Sequence, residues 1–182
     1  MAKAVLISIR PEWVDKILSG EKTLEIRKNR PTMQPPFRCY IYCTTGRKPW
    51  VLDGYPGIRQ DGNVVAEFAC DKIKPIFPDS FFVKEEAERV LAGSCLTSKQ
   101  VIDYAGWKGK KIWDCKDLYR WYISNLKIYG KPKPLSEFKG LCKIEADCGC
   151  CHYYNYTKMD CDGRTIKRPP QSWCYVEELR NE

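Results

Sequence analysis

Three ionisable side chains near the start of the chain stand close enough in sequence to act together. They are Lys22, Glu25 and Arg27, in the segment GEKTLEIR at residues 20–27. Glu25 and Arg27 lie two residues apart, so on a β-strand they are neighbours on one face. In a cleft, Arg27 could offer a planar fork of donors to a phosphate or a base edge. A structural ion pair is the alternative, and Lys22 joins Glu25 only if the turn before the strand twists.

Cations and aromatic residues continue beyond this segment, with a single acid, Glu25, among seven Lys or Arg residues at 22–48. Cations hold a phosphate backbone and aromatic rings stack on splayed bases, so the pattern predicts a nucleic-acid-binding surface. The alternative is that Tyr40 and Tyr42 belong to the core and that the cations are solvated. The predicted binding residues are Lys22, Glu25, Arg27, Lys28, Arg30, Arg38, Tyr40, Tyr42, Arg47, Lys48 and Trp50.

The net charge and the composition limit the classes of protein to which this chain could belong. The net charge is +8, and residues 1–60 carry eleven Lys or Arg against five Asp or Glu. A basic surface favours nucleic acid or an acidic protein partner. No apolar run approaches the roughly 20 residues of a membrane helix, and the short apolar start is followed at once by charges, unlike a signal peptide. We therefore expect a cytoplasmic protein with no membrane partner.

The 182 residues include eleven cysteines, and this number requires a structural explanation. The odd count without an export signal argues against a disulfide framework. Several of them cluster with the single histidine, and four thiolate or imidazole ligands form a tetrahedral zinc site. The cluster predicts a structural zinc, with a mobile loop of free thiols as the alternative. Its candidate ligands are Cys142, Cys148, Cys150, Cys151, His152 and Cys161.

The hydrophobic pattern predicts short strands with helices between them. We expect strands at 3–9, 22–28, 38–44, 63–70, 118–129 and 171–177, and helices from Pro11 to Gly20, at 83–92 and at 97–105. This order predicts an α+β fold, a small mixed β-barrel with peripheral short helices, and it argues against a doubly wound sheet. We expect one domain over 1–182, with a helical insert at 79–117 and a Cys-rich segment at 142–168.

The pattern Gly-x-Lys-x-x-Glu-x-Arg of residues 20–27, after a short helix that follows the first strand, resembles the signature of the ASCH family. Further likeness lies in Val64–Phe68 with its acid Glu67, in the strand at 122–129, and at the end of the chain, 168–176, which is similar to phage and prophage ASCH proteins. The resemblance implies a PUA-like barrel and a module of phage or prophage origin that binds RNA, another nucleic acid or a nucleotide.

The resemblance also implies two alternatives. Some family members are hydrolases, either amidohydrolases of modified cytidine or ribonucleases, for which Lys22, Glu67, Tyr40 or Tyr42, and Ser172 supply matching residue types. Glu25 stands where the amidohydrolases have a nucleophilic threonine, with Thr23 out of register. A single histidine excludes a two-histidine nuclease. The other alternative is a phage counter-defence protein that binds and inhibits a host nucleic-acid-dependent nuclease, as an anti-CRISPR protein does.

Overall fold

The computed structural model describes residues 2–46, 61–141 and 165–179. These residues form a mixed α+β fold with short helices and two short 3-10 helices, Ile112–Asp114 and Leu135–Glu137. The strands are β1 (Lys3–Ile9), β2 (Leu24–Arg27), β3 (Phe37–Cys43), β4 (Val64–Ile76), β5 (Leu118–Lys133) and β6 (Trp173–Glu177). The helices are α1 (Pro11–Leu18), α2 (Pro78–Phe81), α3 (Lys84–Ser94) and α4 (Ser98–Ala105).

The six strands form one sheet in the order β2-β5-β4-β3-β1-β6. β1 pairs parallel with β3, and antiparallel with β6. Parallel neighbours need a crossover connection, and α1 and β2 lie in the chain between β1 and β3. The predicted α+β class is confirmed. The hydrogen-bonded order of the described strands runs from β2 to β6 without closing, so the barrel is not confirmed.

Each predicted strand and helix is present, but β2 begins at Leu24 and not at residue 22, helix α2 is not predicted by the hydrophobic pattern, and β4 and β5 are longer than predicted. β4 continues to Ile76, beyond the predicted end at residue 70, and β5 continues to Lys133, beyond residue 129. Each extension contains a proline, Pro75 or Pro132; the β5 extension is otherwise polar, whereas the β4 extension includes Ile73 and the buried Ile76. Because proline within a run argues against a strand, the sequence pattern predicts the end of each of these strands too early.

The described chain divides into two compact units. The first contains residues Met1–Pro11, Arg38–Glu67 and Lys127–Glu182. Its core includes Leu6, Val64, Val176 and the edge-to-face ring pair Tyr40–Phe138, with centroids 5.0 Å apart. Strands β1 and β3 are buried on both faces, and β6 adds Val176, so these three strands supply most of this core.

The second unit contains Glu12–Phe37 and Phe68–Leu126. Its core is built by β2, the start of β5 and the three helices α2, α3 and α4 around Ile26, Val90 and Trp107. Helix α3 approaches β2 so closely that a Cβ on Gly93 would lie 2.7 Å from Leu24 Cδ1. The predicted insert at 79–117 lies within this unit, and the single-domain assignment stays a prediction. Among the described residues, no helix is long and apolar enough to cross a membrane.

Candidate functional site

The turn between α1 and β2 decides where Lys22 points. The Lys22 amide donates to Lys16 O at 2.7 Å, and the Thr23 amide donates to Gly93 O at 2.8 Å. These bonds hold the backbone out of strand geometry until Leu24, where β2 begins. Lys22 Nζ consequently lies 3.2 Å from Glu25 Oε2, so the turn makes the twist that the sequence left open.

Lys22 is buried and fully engaged by protein acceptors. Its Nζ donates to Leu24 O at 2.8 Å and to Ser94 O at 2.9 Å, besides its contact with Glu25. An ammonium has three donors, so all three face acceptors within the second unit. Ser94 is the last residue of α3, and a cation there satisfies a terminal carbonyl and the negative end of the helix dipole.

Glu25 links Lys22 to Arg27. Arg27 Nε lies 2.9 Å from Glu25 Oε1, so each carboxylate oxygen faces one cation. All three residues are less than 9% exposed. We call Lys22, Glu25 and Arg27 the ion network. Buried charges require partners of opposite charge or hydrogen bonds, and the ion network supplies both. The network therefore links the end of α3 to β2.

A basic pocket opens just beyond the ion network, where β2 ends and β5 begins. β2 and β5 pair antiparallel, with Arg27 opposite Tyr119. Continuing this register places the residues after Arg27 beside those before Leu118. The result, which we call the β2–β5 pocket, has a volume of about 670 Å³. It is lined by Lys28, Asn29, Arg30, Cys115, Lys116, Asp117 and Tyr119.

The β2–β5 pocket presents cations to solvent around an aromatic ring. Lys28, Arg30 and Lys116 are exposed, against one half-buried acid, Asp117. The Arg30 guanidinium carbon lies 5.7 Å from the centroid of the Tyr119 ring. Guanidinium groups on aromatic faces form a planar, positively charged surface that suits phosphates and bases. The volume falls in the range of sites for small ligands.

Tyr104 of α4 lies beside the same region. The Lys28 ammonium lies 5.0 Å from the centroid of its ring. Burial raises the pKa of Tyr104, while the Arg27 charge acts in the opposite direction. The phenol therefore stays neutral at physiological pH.

Three of the predicted binding residues lie in the first unit and are engaged there. Arg38 is partly buried, with Nη1 3.4 Å from Glu67 Oε1 and Nε 3.0 Å from Glu178 Oε1. The Tyr40 and Tyr42 side chains belong to the core cluster, and Tyr40 Oη accepts a bond from the Leu179 amide at 2.8 Å. This placement favours the structural alternative for the two tyrosines over base stacking.

The candidate hydrolase residues are also placed by the structure. Glu67 accepts a 2.6 Å hydrogen bond from Tyr129 Oη, and burial together with Glu67 raises the pKa of Tyr129. The Ser172 carbonyl accepts from the Ser8 amide at 2.9 Å. Lys22 belongs to the second unit, whereas Glu67, Tyr42 and Ser172 belong to the first.

The remaining predicted site residues lie outside the described part of the chain. These are the binding candidates Arg47, Lys48 and Trp50, and the zinc candidates Cys142, Cys148, Cys150, Cys151, His152 and Cys161. Within residues 2–46, 61–141 and 165–179, no three His, Cys, Asp or Glu side chains cluster as metal ligands. The structural zinc stays a prediction.

Sequence reasoning missed Lys116 and Tyr119, which complete the β2–β5 pocket. The signal was present in the lysines at 108, 110, 111 and 116, which alternate with Trp107 and Trp113. The sequence pattern predicts only a helical insert at 79–117 for that stretch, apart from the basic segment at 22–48. Only the pairing of β2 with β5 brings it next to Lys28 and Arg30.

Comparisons with known proteins agree with this architecture. Three crystal structures of an ASCH protein from Zymomonas mobilis, one without substitution, one a serine-to-alanine and one a tyrosine-to-phenylalanine variant, have TM-scores of 0.58, 0.59 and 0.57. Their identity is 18–19%, over 96–97% of this chain and 88–92% of theirs. The chain thus has the fold of these proteins.

A search of curated proteins finds no significant match. The family model for the ASCH domain, in contrast, matches residues 7–133, which include the ion network and the β2–β5 pocket. The chain belongs to the ASCH domain family.

Proposed function

We propose that the protein is an RNA-binding module whose contact surface is the β2–β5 pocket. The observation that carries the proposal is the pocket itself, which is lined by three exposed cations together with Tyr119. Cations supply the salt-dependent attraction to phosphates, and the ring supplies a stacking face for an unpaired base. Membership of the ASCH domain family supports the same conclusion.

Within this proposal, the predicted binding residues divide by role. Lys28 and Arg30 contact the ligand together with Lys116 and Tyr119. Lys22, Glu25 and Arg27 act as positioning residues, because their side chains are buried and engaged with one another or with the end of α3. They hold the strand from which Lys28 and Arg30 extend.

Fluorescence-polarisation binding to short RNA and DNA at two salt concentrations tests the proposal. We expect the double variant Arg30→Gln, Lys116→Gln to weaken RNA binding about ten-fold or more. It should also reduce the slope of log affinity against log salt by about two, one for each lost phosphate contact. A free nucleoside monophosphate should compete with RNA if the pocket accepts a single nucleotide.

Lys84→Gln and Lys99→Gln provide a control with the same change in charge. Both lysines are highly exposed in the second unit, on α3 and α4, and neither lines the pocket. The pocket is not the contact surface if the control variant loses as much RNA affinity as the pocket variant does. The same conclusion follows if the pocket variant binds RNA as tightly as the unsubstituted protein.

The two alternatives remain predictions from the sequence. No contact among the described residues favours hydrolysis, since Lys22 has no donor left over and Tyr42 is buried. We expect the RNA to be recovered intact after binding. Purification from a host that carries defence nucleases distinguishes an RNA-bound protein from one held by a nuclease.

A further inference from the structure

The insert contains a strongly exposed tryptophan that the pocket does not use. Trp113 is 77% exposed, the highest fraction among the large hydrophobic residues described. It lies in the 3-10 helix Ile112–Asp114, two residues before Cys115 of the β2–β5 pocket. Since consecutive Cα atoms are about 3.8 Å apart, the Cα atoms of Trp113 and Cys115 are no more than about 7.6 Å apart.

The segment around Trp113 is held firmly at both ends. Trp107 is buried, and its Nε1 donates to Lys116 O at 2.8 Å, which closes residues 107–116 into a loop. Inside the loop, the amides of Lys110, Asp114 and Cys115 donate to carbonyls three residues earlier. We call residues 107–116 the tryptophan loop. The indole of Trp113 is therefore presented on a braced backbone.

The charge around Trp113 selects an anionic partner. Lys108, Lys110, Lys111 and Lys116 of the loop are all exposed, against one exposed acid, Asp114. The Lys111 ammonium lies 5.2 Å from the centroid of the Trp113 ring. A flat aromatic surface among cations matches a nucleic-acid strand, in which flat bases alternate with phosphates.

We propose that the tryptophan loop is a stacking platform for an unpaired base, and that the RNA bound by this protein is single-stranded. The inference rests on the proposed function and specifies the form of its ligand. A duplex buries the faces of its bases by stacking them on each other, so an indole contributes to binding only where a base is splayed out. The strand runs from the Trp113 ring into the β2–β5 pocket.

The test compares a fluorescein-labelled oligouridine with a blunt RNA duplex. Stacking one base is worth about 1–3 kcal/mol, so we expect Trp113→Ala to weaken oligouridine binding about ten-fold. Trp113→Phe should retain most of the affinity, and the affinity of either variant for the duplex should stay within about two-fold of the unsubstituted protein. Phe82→Ala, which removes another exposed ring of the second unit, is the matched control and should bind as before.

Each outcome of this comparison supports or rejects the stacking platform or the preference for single-stranded RNA. Unchanged oligouridine binding by Trp113→Ala, with binding lost in the Arg30 and Lys116 double variant, rejects the platform and leaves the proposed function standing. Equal losses for oligouridine and duplex, or an equal loss in the Phe82 control, reject the preference for a single strand. Failure of the unsubstituted protein to bind either probe rejects both proposals.

Discussion

At the scale of single residues, the burial of Lys22, Glu25 and Arg27 gives the ASCH signature of this chain a structural role. In a cleft these three side chains could bind a phosphate. Here they pair with one another, and Lys22 also donates a hydrogen bond to the end of α3. Glu25 is the central member, since it faces both cations. The carboxylate therefore offsets two charges that water no longer solvates.

Replacing Glu25 with Gln should therefore destabilise the protein. The substitution keeps the size of the side chain and removes the carboxylate that faces both the buried Lys22 and the buried Arg27 charge. Breaking buried ion pairs costs about 3 kcal/mol or more, so we expect a loss of that size in the free energy of urea unfolding.

Glu21→Gln is the control, because Glu21 pairs with Lys16 on the surface and should give no measurable change. A loss below about 1 kcal/mol for Glu25→Gln would show that the ion network is open to water.

At the scale of elements, helix α4 of the second unit supports the β2–β5 pocket. α4 carries Tyr104, which contacts Lys28 beside the pocket. It begins with a capping box, in which Thr97 Oγ1 accepts from the Gln100 amide at 3.2 Å and Gln100 Oε1 accepts from the Thr97 amide at 2.8 Å. Both bonds satisfy amides that the helix itself leaves without partners.

We expect Thr97→Ala to lower the free energy of unfolding by about 1 kcal/mol, because one of these amides loses its acceptor. Urea denaturation followed by circular dichroism measures the change. The neighbouring Ser98→Ala leaves the box intact and serves as a control. An equal loss in both variants would show that the effect is not due to the cap.

At the scale of the whole molecule, several tyrosine and cysteine side chains retain their protons at alkaline pH. Burial is the first cause of a raised pKa at each of four tyrosines and two cysteines. The pKa of the Cys70 thiol rises to about 12 and that of Cys174 to about 11. The tyrosines are Tyr40, Tyr42, Tyr104 and Tyr129.

These shifts predict that stability falls as the pH rises above about 9. Unfolded cysteine and tyrosine lose their protons near pH 8.5 and 10, whereas the folded groups keep them, so the unfolded state binds fewer protons. Stability then decreases with pH until the folded pKa values are reached. Urea unfolding at a series of pH values from 8 to about 11 measures the slope.

Cys70→Val removes one of these groups and should make the slope shallower. A stability that is constant up to about pH 11 would contradict the prediction, since it would mean that these side chains titrate equally in both states.

The sequence alone determined the class of fold and most of its elements. Alternating or continuous apolar runs mark β1, β3 and β6, and proline and glycine mark the ends of α1, because these signals depend on residues close in the chain. The ionic signature was likewise visible at residues 20–27, and the structure confirms that its members contact one another. The far ends of β4 and β5, which contain Pro75 and Pro132, were not visible, because proline argues against a strand.

Only the tertiary structure decided which of these residues are buried and which line the β2–β5 pocket. The burial of Lys22 depends on Ser94, a partner 72 residues away, and the pocket depends on β2 pairing with a strand about 100 residues later in the chain. Whether Tyr40 belongs to the core or to a surface depends on packing from Phe138. Such contacts join distant parts of the chain, so no local pattern of charge or hydrophobicity specifies them.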